Sequence, residues 1–336
     1  MILLKGLNIN NTPYEGPFKQ HIQNHVELKQ AIGYEFHTEA GHLKRFDRFT
    51  LEKYPEATVL TKEMVLDWCK KKDYEKRSNQ LSRTSIVRQL GKYLDSIGLK
   101  AYILPKGYYP KEGQYVPYIY PVDELRRFFA ETDKCHYCYE CPYRHLIMPV
   151  FFRMIYTCGL RLSEARLLKI DDVDLENGIL SVHHSKKDNS RLVPMSDSLA
   201  ERCRNFSKEV HPYPIPTDYF FPGLTNKPMT MTNVYHNFRR FLWRAGISHG
   251  GKGCGPRIHD FRHTYATHCL KKWAEQGKDL SAYLPVLKTY MGHDSFKETA
   301  YYLRLTADVF PDMMRQVEIR YPGMIPSLEG GSHETH

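Results

Sequence analysis

Apolar positions in the first third of this chain recur with a helical period. The pattern from about residue 21 to 99 predicts roughly four helices. Within 61–69 the spacing puts Met64, Val65 and Trp68 on one face. In 85–97, Ile86, Leu90, Tyr93, Leu94 and Ile97 stand at helical spacing, and Gly98 is a natural stop. Residues 100–121 lose the period. Prolines interleaved with tyrosines there predict an extended connector, either plain or a strap laid against a partner. Helices return over 122–131, 149–157 and, after a break at Gly159, 163–168. Residues 178–182 and 191–195 are short strands around a polar, basic turn, which predicts a β-hairpin. From Leu199 onward the pattern is helical again, closing with 299–303, 307–318 and a polar tail. The fold class is mainly α with one small antiparallel sheet.

A length of 336 residues allows two or three domains, each with its own core. The expected division is a leader at 1–20, a helical domain at 21–100, a linker at 101–121, a second domain at 122–320 and a tail at 321–336. Lys and Arg number 48 against 38 Asp and Glu, a formal +10. That balance favours a polyanion such as nucleic acid, although charge alone also suits a basic protein that is merely soluble. The first ten residues have too short an apolar run for a signal peptide. The most apolar stretch, 146–160, is interrupted by Pro149 and Arg153, so it is no membrane span. A cytoplasmic protein is expected, with its eight cysteines as thiols or metal ligands.

Four fragments suit a phosphate partner. In the first, Cys158-Gly-Leu-Arg161-Leu-Ser163-Glu164, Ser163 is a good N-cap, and Arg161 beside a helix start makes an anion site; pairing of Arg161 with Glu164 is the plainer reading. The second is the hairpin turn with Lys186 and Lys187, which is either solvated or aimed at DNA. The third places His259, Arg262 and His263 on one helix face. A His-x-x-Arg pair grips two oxygens of one phosphate, and the imidazole can move a proton. Zinc on the two histidines would need a third ligand and tolerance of the arginine. In the fourth, Gly292-His293 reads as a turn exposing an imidazole, followed by a helix carrying Tyr301 and Tyr302.

These fragments, in this order and with these gaps, resemble the catalytic domain of tyrosine recombinases, the phage integrase family. The resemblance covers about residues 120–315; the region 21–99 resembles the family's core-binding domain more weakly. It implies a two-domain DNA clamp and a catalytic set of Arg161, Lys186, His259, Arg262, His293 and Tyr302. Lys187 is the alternative to Lys186. Glu164 and His263 are implied as supporting residues. The implied reaction is cleavage and rejoining of DNA through a 3′-phosphotyrosyl bond, without ATP or a catalytic metal. Implied partners are double-stranded DNA at specific sites, a homo-tetramer on that DNA, and an accessory DNA-bending protein. The competing readings are a type IB topoisomerase-like nicking-closing enzyme and an inactive DNA-binding relative.

One cluster lies outside that pattern. Cys135, Cys138, Cys141 and His145 offer soft ligands in a compact run, which suggests a small structural zinc site or else reduced surface thiols.

Overall fold

The computed structural model describes residues 13–110, 116–183, 190–224, 227–251, 255–309 and 319. The chain divides into two compact units, Met1–Tyr115 and Val116–His336.

Unit 1 is a bundle of α1 (Lys19–Ala31), α2 (His37–Lys53), α3 (Lys62–Cys69) and α4 (Arg77–Ser96). The face expected of α3 is the one it buries: Met64, Val65 and Trp68 all lie in the core, and the Thr61 side chain caps the helix through the Met64 N–H. α4 begins eight residues before the predicted segment, because Gln80, Arg83 and Thr84 are buried polar residues that break the apolar count. Arg83 is the largest of these. It forms a two-pronged ion pair with Glu75 (Nε and Nη2 each 2.7 Å from a carboxylate oxygen), and its guanidinium also donates to the Trp68 and Lys70 carbonyls. The start of the expected connector belongs to this core: Ala101 bridges to Leu60, and Leu104 is fully buried.

Unit 2 is built around α6 (Arg144–Thr157), whose residues from Ile147 to Phe152 are all buried. An all-round apolar helix belongs at the centre of a layered core. α5 (Val122–Asp133), α8 (Asp197–Val210) and α10 (Asp260–Glu275) pack on it. α9 (Met231–Arg244) packs on α5, and phenylalanines 128, 152, 238, 241 and 261 meet edge-on or tilted between these helices. The end of the connector is part of this core. Tyr120 stacks on Phe261 at 4.8 Å, and its backbone N–H donates to the Thr264 hydroxyl on α10.

After α6 come the short α7 (Leu162–Leu167) and, among the described residues, one antiparallel sheet in the order β1 (Val173–Asp174), β2 (Ile179–Val182), β3 (Arg191–Pro194). Val182 pairs with Arg191 and Leu180 with Val193, so Arg191 and Val193 share the buried face of β3. α11 (Leu280–Met291) and α12 (Phe296–Val309) close the unit on α10. α12 continues through 304–306, the gap between the two segments that the sequence pattern suggested, with Leu303 and Leu305 in the core; residues 310–318 of the second segment lie outside the described residues. No helix among the described residues is long and apolar enough to cross a membrane.

Candidate active site

The site forms where α11 ends. Gly292 caps that helix in the left-handed conformation (φ +63°), and its N–H and that of His293 return to the Thr289 and Lys288 carbonyls. The next three carbonyls would be orphans of the helix terminus. Each is instead met by a different guanidinium. Arg191 Nε donates to the Tyr290 carbonyl (2.8 Å), Arg262 Nη2 to that of Met291, and Arg161 Nη2 to that of Gly292 (3.0 Å). The partial negative charge of a helix C-terminus favours cations there. Arg262 Nη1 also donates to the Gly159 carbonyl (2.6 Å), so the break before α7 feeds the same cage.

Glu164 ties the cage together. Its carboxylate accepts from the Arg161 N–H and Nη1 (both 2.8 Å) and from Arg191 Nη1 and Nη2 (3.1 and 2.8 Å). Burial pushes this carboxyl up, but the hydrogen bonds and charge of Arg191, the Arg161 amide and the Arg262 charge together outweigh it and hold it at about 2. This corrects the expected capping. Arg161, not Ser163, is the N-cap of α7, and its N–H and guanidinium both pair with Glu164, the plainer of the two readings. The arginines differ in exposure: the Arg161 side chain keeps 28% of its surface and that of Arg191 7%, while Arg262 as a residue keeps 1%. Burial lowers Arg262 to about 10, which leaves it charged at neutral pH.

The imidazoles and the tyrosines complete the site. His259 precedes α10, and its ring meets that of His263 one turn on, at 4.8 Å. His263 lies 5.5 Å from the Tyr302 ring, and His293 stacks on that ring at 5.6 Å and 18°. The Thr299 hydroxyl holds His293 Nδ1 at 2.9 Å. Loss of hydration and the neighbouring guanidiniums lower His259 to about 4 and His293 to about 3; burial, then His259 and Arg262, lower His263 to about 3. All three are neutral imidazoles at pH 7. His259 still reaches solvent at the rim, while His293 is buried. Tyr302 is 3% exposed and hydrogen-bonds Arg262. Burial raises its hydroxyl, and the Arg262 charge and hydrogen bond and the Arg161 charge oppose that rise. Tyr301 sits beside it, half-buried, with its ring 6.1 Å away.

The structure therefore gathers Arg161, Glu164, His259, Arg262, His263, His293 and Tyr302 in one place. Lys186 and Lys187 lie outside the described residues. Sequence reading missed Arg191 and Thr299. Arg191 opens the second expected strand, and the missed signal was its inward phase with Val193 on β3. Thr299 carried no signal of its own beyond lying one turn before Tyr302.

The suggested zinc ligands are not gathered. Among the described residues no three His, Cys, Asp or Glu side chains come close enough to share a metal ion. Cys135, Cys138 and Cys141 are partly exposed thiols in the turn before α6, and the His145 ring packs edge-on against Tyr137.

Residues 121–308 match the phage integrase family. A candidate integrase/recombinase of Sinorhizobium fredii, y4rB, is 27% identical over 90% of this chain and 98% of its own length. A tyrosine recombinase of Pseudothermotoga lettingae is 24% identical over 79% of this chain and 85% of its own. Among solved structures, the Tn1549 transposon integrase in complex with a circular intermediate DNA superposes with a TM-score of 0.63 at 17% identity, covering 89% of this chain and 99% of that one. The XerH site-specific recombinase bound to a palindromic difH substrate gives 0.61 at 20% identity, over 84% of this chain and 79% of that one. With the family match spanning more than half its length, this chain belongs to the phage integrase family of tyrosine recombinases.

Proposed function

We propose that this protein is a site-specific recombinase of a mobile element that cuts and rejoins double-stranded DNA through Tyr302. The observation that carries the reading is the charge of the cage. Arg161, Arg191 and Arg262 against Glu164 leave the cage itself with a net charge of +2, and of these Arg262 and Arg161 act on the Tyr302 hydroxyl, with Glu298 opposing them. A phosphodiester carries one negative charge and its pentacovalent transition state two, so a fixed +2 stabilises the second more than the first.

In this reading Arg161 and Arg262 hold the non-bridging oxygens, and Tyr302 attacks phosphorus. The P–O bond to the 5′ carbon's oxygen breaks, leaving a 3′-phosphotyrosyl bond. His259 takes the tyrosyl proton, which a neutral imidazole at the rim can do. Lys186 gives a proton to the departing 5′-oxygen, and His293 bonds a phosphate oxygen. Attack by another 5′-hydroxyl reverses the step, so exchange needs neither ATP nor metal. The exposed side of α9 carries His236, Arg239, Arg240, Trp243 and Arg244, a cationic and aromatic strip suited to a DNA backbone. Four protomers on paired sites, with an accessory DNA-bending protein, complete the proposal.

The test is a nicked suicide duplex carrying a candidate end of the host element, run on a denaturing gel with EDTA present and absent. The reading expects an EDTA-resistant protein–DNA adduct that Tyr302→Phe abolishes and Tyr301→Phe preserves. Tight, salt-sensitive binding with no adduct on any element end would instead favour an inactive DNA-binding relative.

A further inference from the structure

Arg191 lies among the arginines of the cage, yet its geometry leaves it no face for substrate. Nε is committed to the Tyr290 carbonyl and both Nη atoms to Glu164, and the side chain keeps 7% of its surface. Above it lies Gly292: a Cβ there would stand 2.8 Å from Arg191 Nη1 and 3.0 Å from its Cζ. Arg191 is thus sealed under the turn that presents His293.

What it does follows from its partner. Glu164 bonds Arg161 through both the backbone N–H and Nη1. A carboxylate with Arg161 as its sole cationic partner would cancel that arginine's charge and draw it inward. Arg191 supplies a second, fork-on-fork pair to the same two oxygens, so Glu164 is neutralised from below while it orients Arg161 from the side. The same guanidinium fixes the Tyr290 carbonyl, two residues before Gly292, whose own carbonyl receives Arg161. One buried side chain therefore sets both the position and the unspent charge of a more exposed one.

We propose that Arg191 is a positioning residue for phosphoryl transfer, holding Glu164 so that the charge of Arg161 is directed at the scissile phosphate. The proposal rests on the recombinase reading above. It also explains why β3 begins with an arginine on its buried face: the strand pairing delivers that guanidinium beneath the helix terminus.

The test compares full-length wild type, Arg191→Met, Arg191→Lys and Arg161→Ala on two suicide duplexes. One has an ordinary scissile phosphodiester and the other a methylphosphonate there, which lacks one negative oxygen and needs less charge neutralisation. Adduct rates at saturating protein, DNA affinity and thermal unfolding are read for each. We expect Arg191→Met to bind DNA within about threefold of wild type and to lose about 100-fold in rate on the phosphodiester. On the methylphosphonate its deficit shrinks at least tenfold, as it does for Arg161→Ala. If Arg191→Met does not fold, Arg191→Lys carries the same test, since one ammonium cannot serve both Glu164 oxygens and the Tyr290 carbonyl. An equal deficit on both duplexes means a merely structural role and overturns the proposal, as does no deficit. A wild type that forms no Tyr302-dependent adduct overturns the recombinase reading and this inference with it.

Discussion

Both units bury an arginine on a carboxylate. In unit 1, Arg83 and Glu75 meet at 2.7 Å with side chains 5% and 8% exposed; in unit 2, Arg191 and Glu164 meet at 2.8 Å with 7% and 5%. Both guanidiniums also take backbone carbonyls, and both carboxyls are lowered: burial opposes the effect of Arg83 on Glu75, and that of Arg191 and Arg161 on Glu164. The difference is stoichiometry. The Arg83 pair is closed one to one, with the guanidinium over the Trp68 ring, and its charge is spent within the fold. The Glu164 pair is joined by Arg161 through hydrogen bonds and felt by Arg262 through its charge, and the positive charge is in excess next to a tyrosine and three neutral histidines. A buried ion pair alone is a feature of architecture. A buried ion pair with surplus positive charge facing a nucleophile can do phosphoryl chemistry.

The largest expected effect separates the two directly. Arg161→Ala or Arg262→Ala lowers the rate of adduct formation by about a hundredfold to a thousandfold, or about 3–4 kcal/mol of transition-state stabilisation. Arg83→Met leaves the chemistry of unit 2 untouched but destabilises unit 1 by about 3–5 kcal/mol, because Glu75 is left buried and unpaired. Adding Glu75→Met to Arg83→Met recovers most of that loss in a denaturant titration, since an apolar pair replaces a closed ionic one. The matching double variant, Glu164→Met with Arg191→Met, folds but stays slow on DNA. Recovery of its rate would erase the distinction drawn between the units.

A smaller effect concerns pH. His263 and His293 have folded pKa values depressed to about 3, below the ordinary 6.5, by burial first, and then by His259 and Arg262 around His263 and by the three guanidiniums around His293. The unfolded chain binds their protons below 6.5 and the folded chain does not, so their contribution is present above 6.5 and lost as pH falls toward 3. By pH 5 each costs roughly 1–2 kcal/mol. Melting curves at pH 7 and pH 5 should show a shallower loss for His293→Gln than for wild type; parallel losses would deny the depressed value. The smallest effect is on binding. Arg239→Ala and Arg240→Ala should each weaken DNA affinity evenly across sequences and reduce the salt slope by about 1. An unchanged slope would move the DNA surface away from α9.

Much of this was legible in the sequence, for identifiable reasons. Arg161, His259, Arg262, His293 and Tyr302 announce themselves through local spacing, and α10 needs only its own period to set His259, Arg262 and His263 together. Arg191 does not, because its inward direction is set by pairing with Val182 across the sheet, a contact no local window contains. Ser163 looked like the N-cap by propensity, but the Glu164 carboxylate overrode it by closing on the Arg161 N–H. The proline- and tyrosine-rich segment looked like one connector because its composition is uniform. Its two described ends nevertheless pack in different cores, Leu104 in one and Tyr120 in the other.

The most direct test of the central claim is the chemical identity of the bond. After reaction with a suicide duplex, the adduct is digested with protease and nuclease, and the linked peptide and DNA end are sequenced by mass spectrometry. The account predicts Tyr302 joined to a 3′-phosphate, with a free 5′-hydroxyl on the released strand. Linkage at Tyr301, linkage to a 5′-phosphate, or attachment to a residue outside the arginine cage would contradict it.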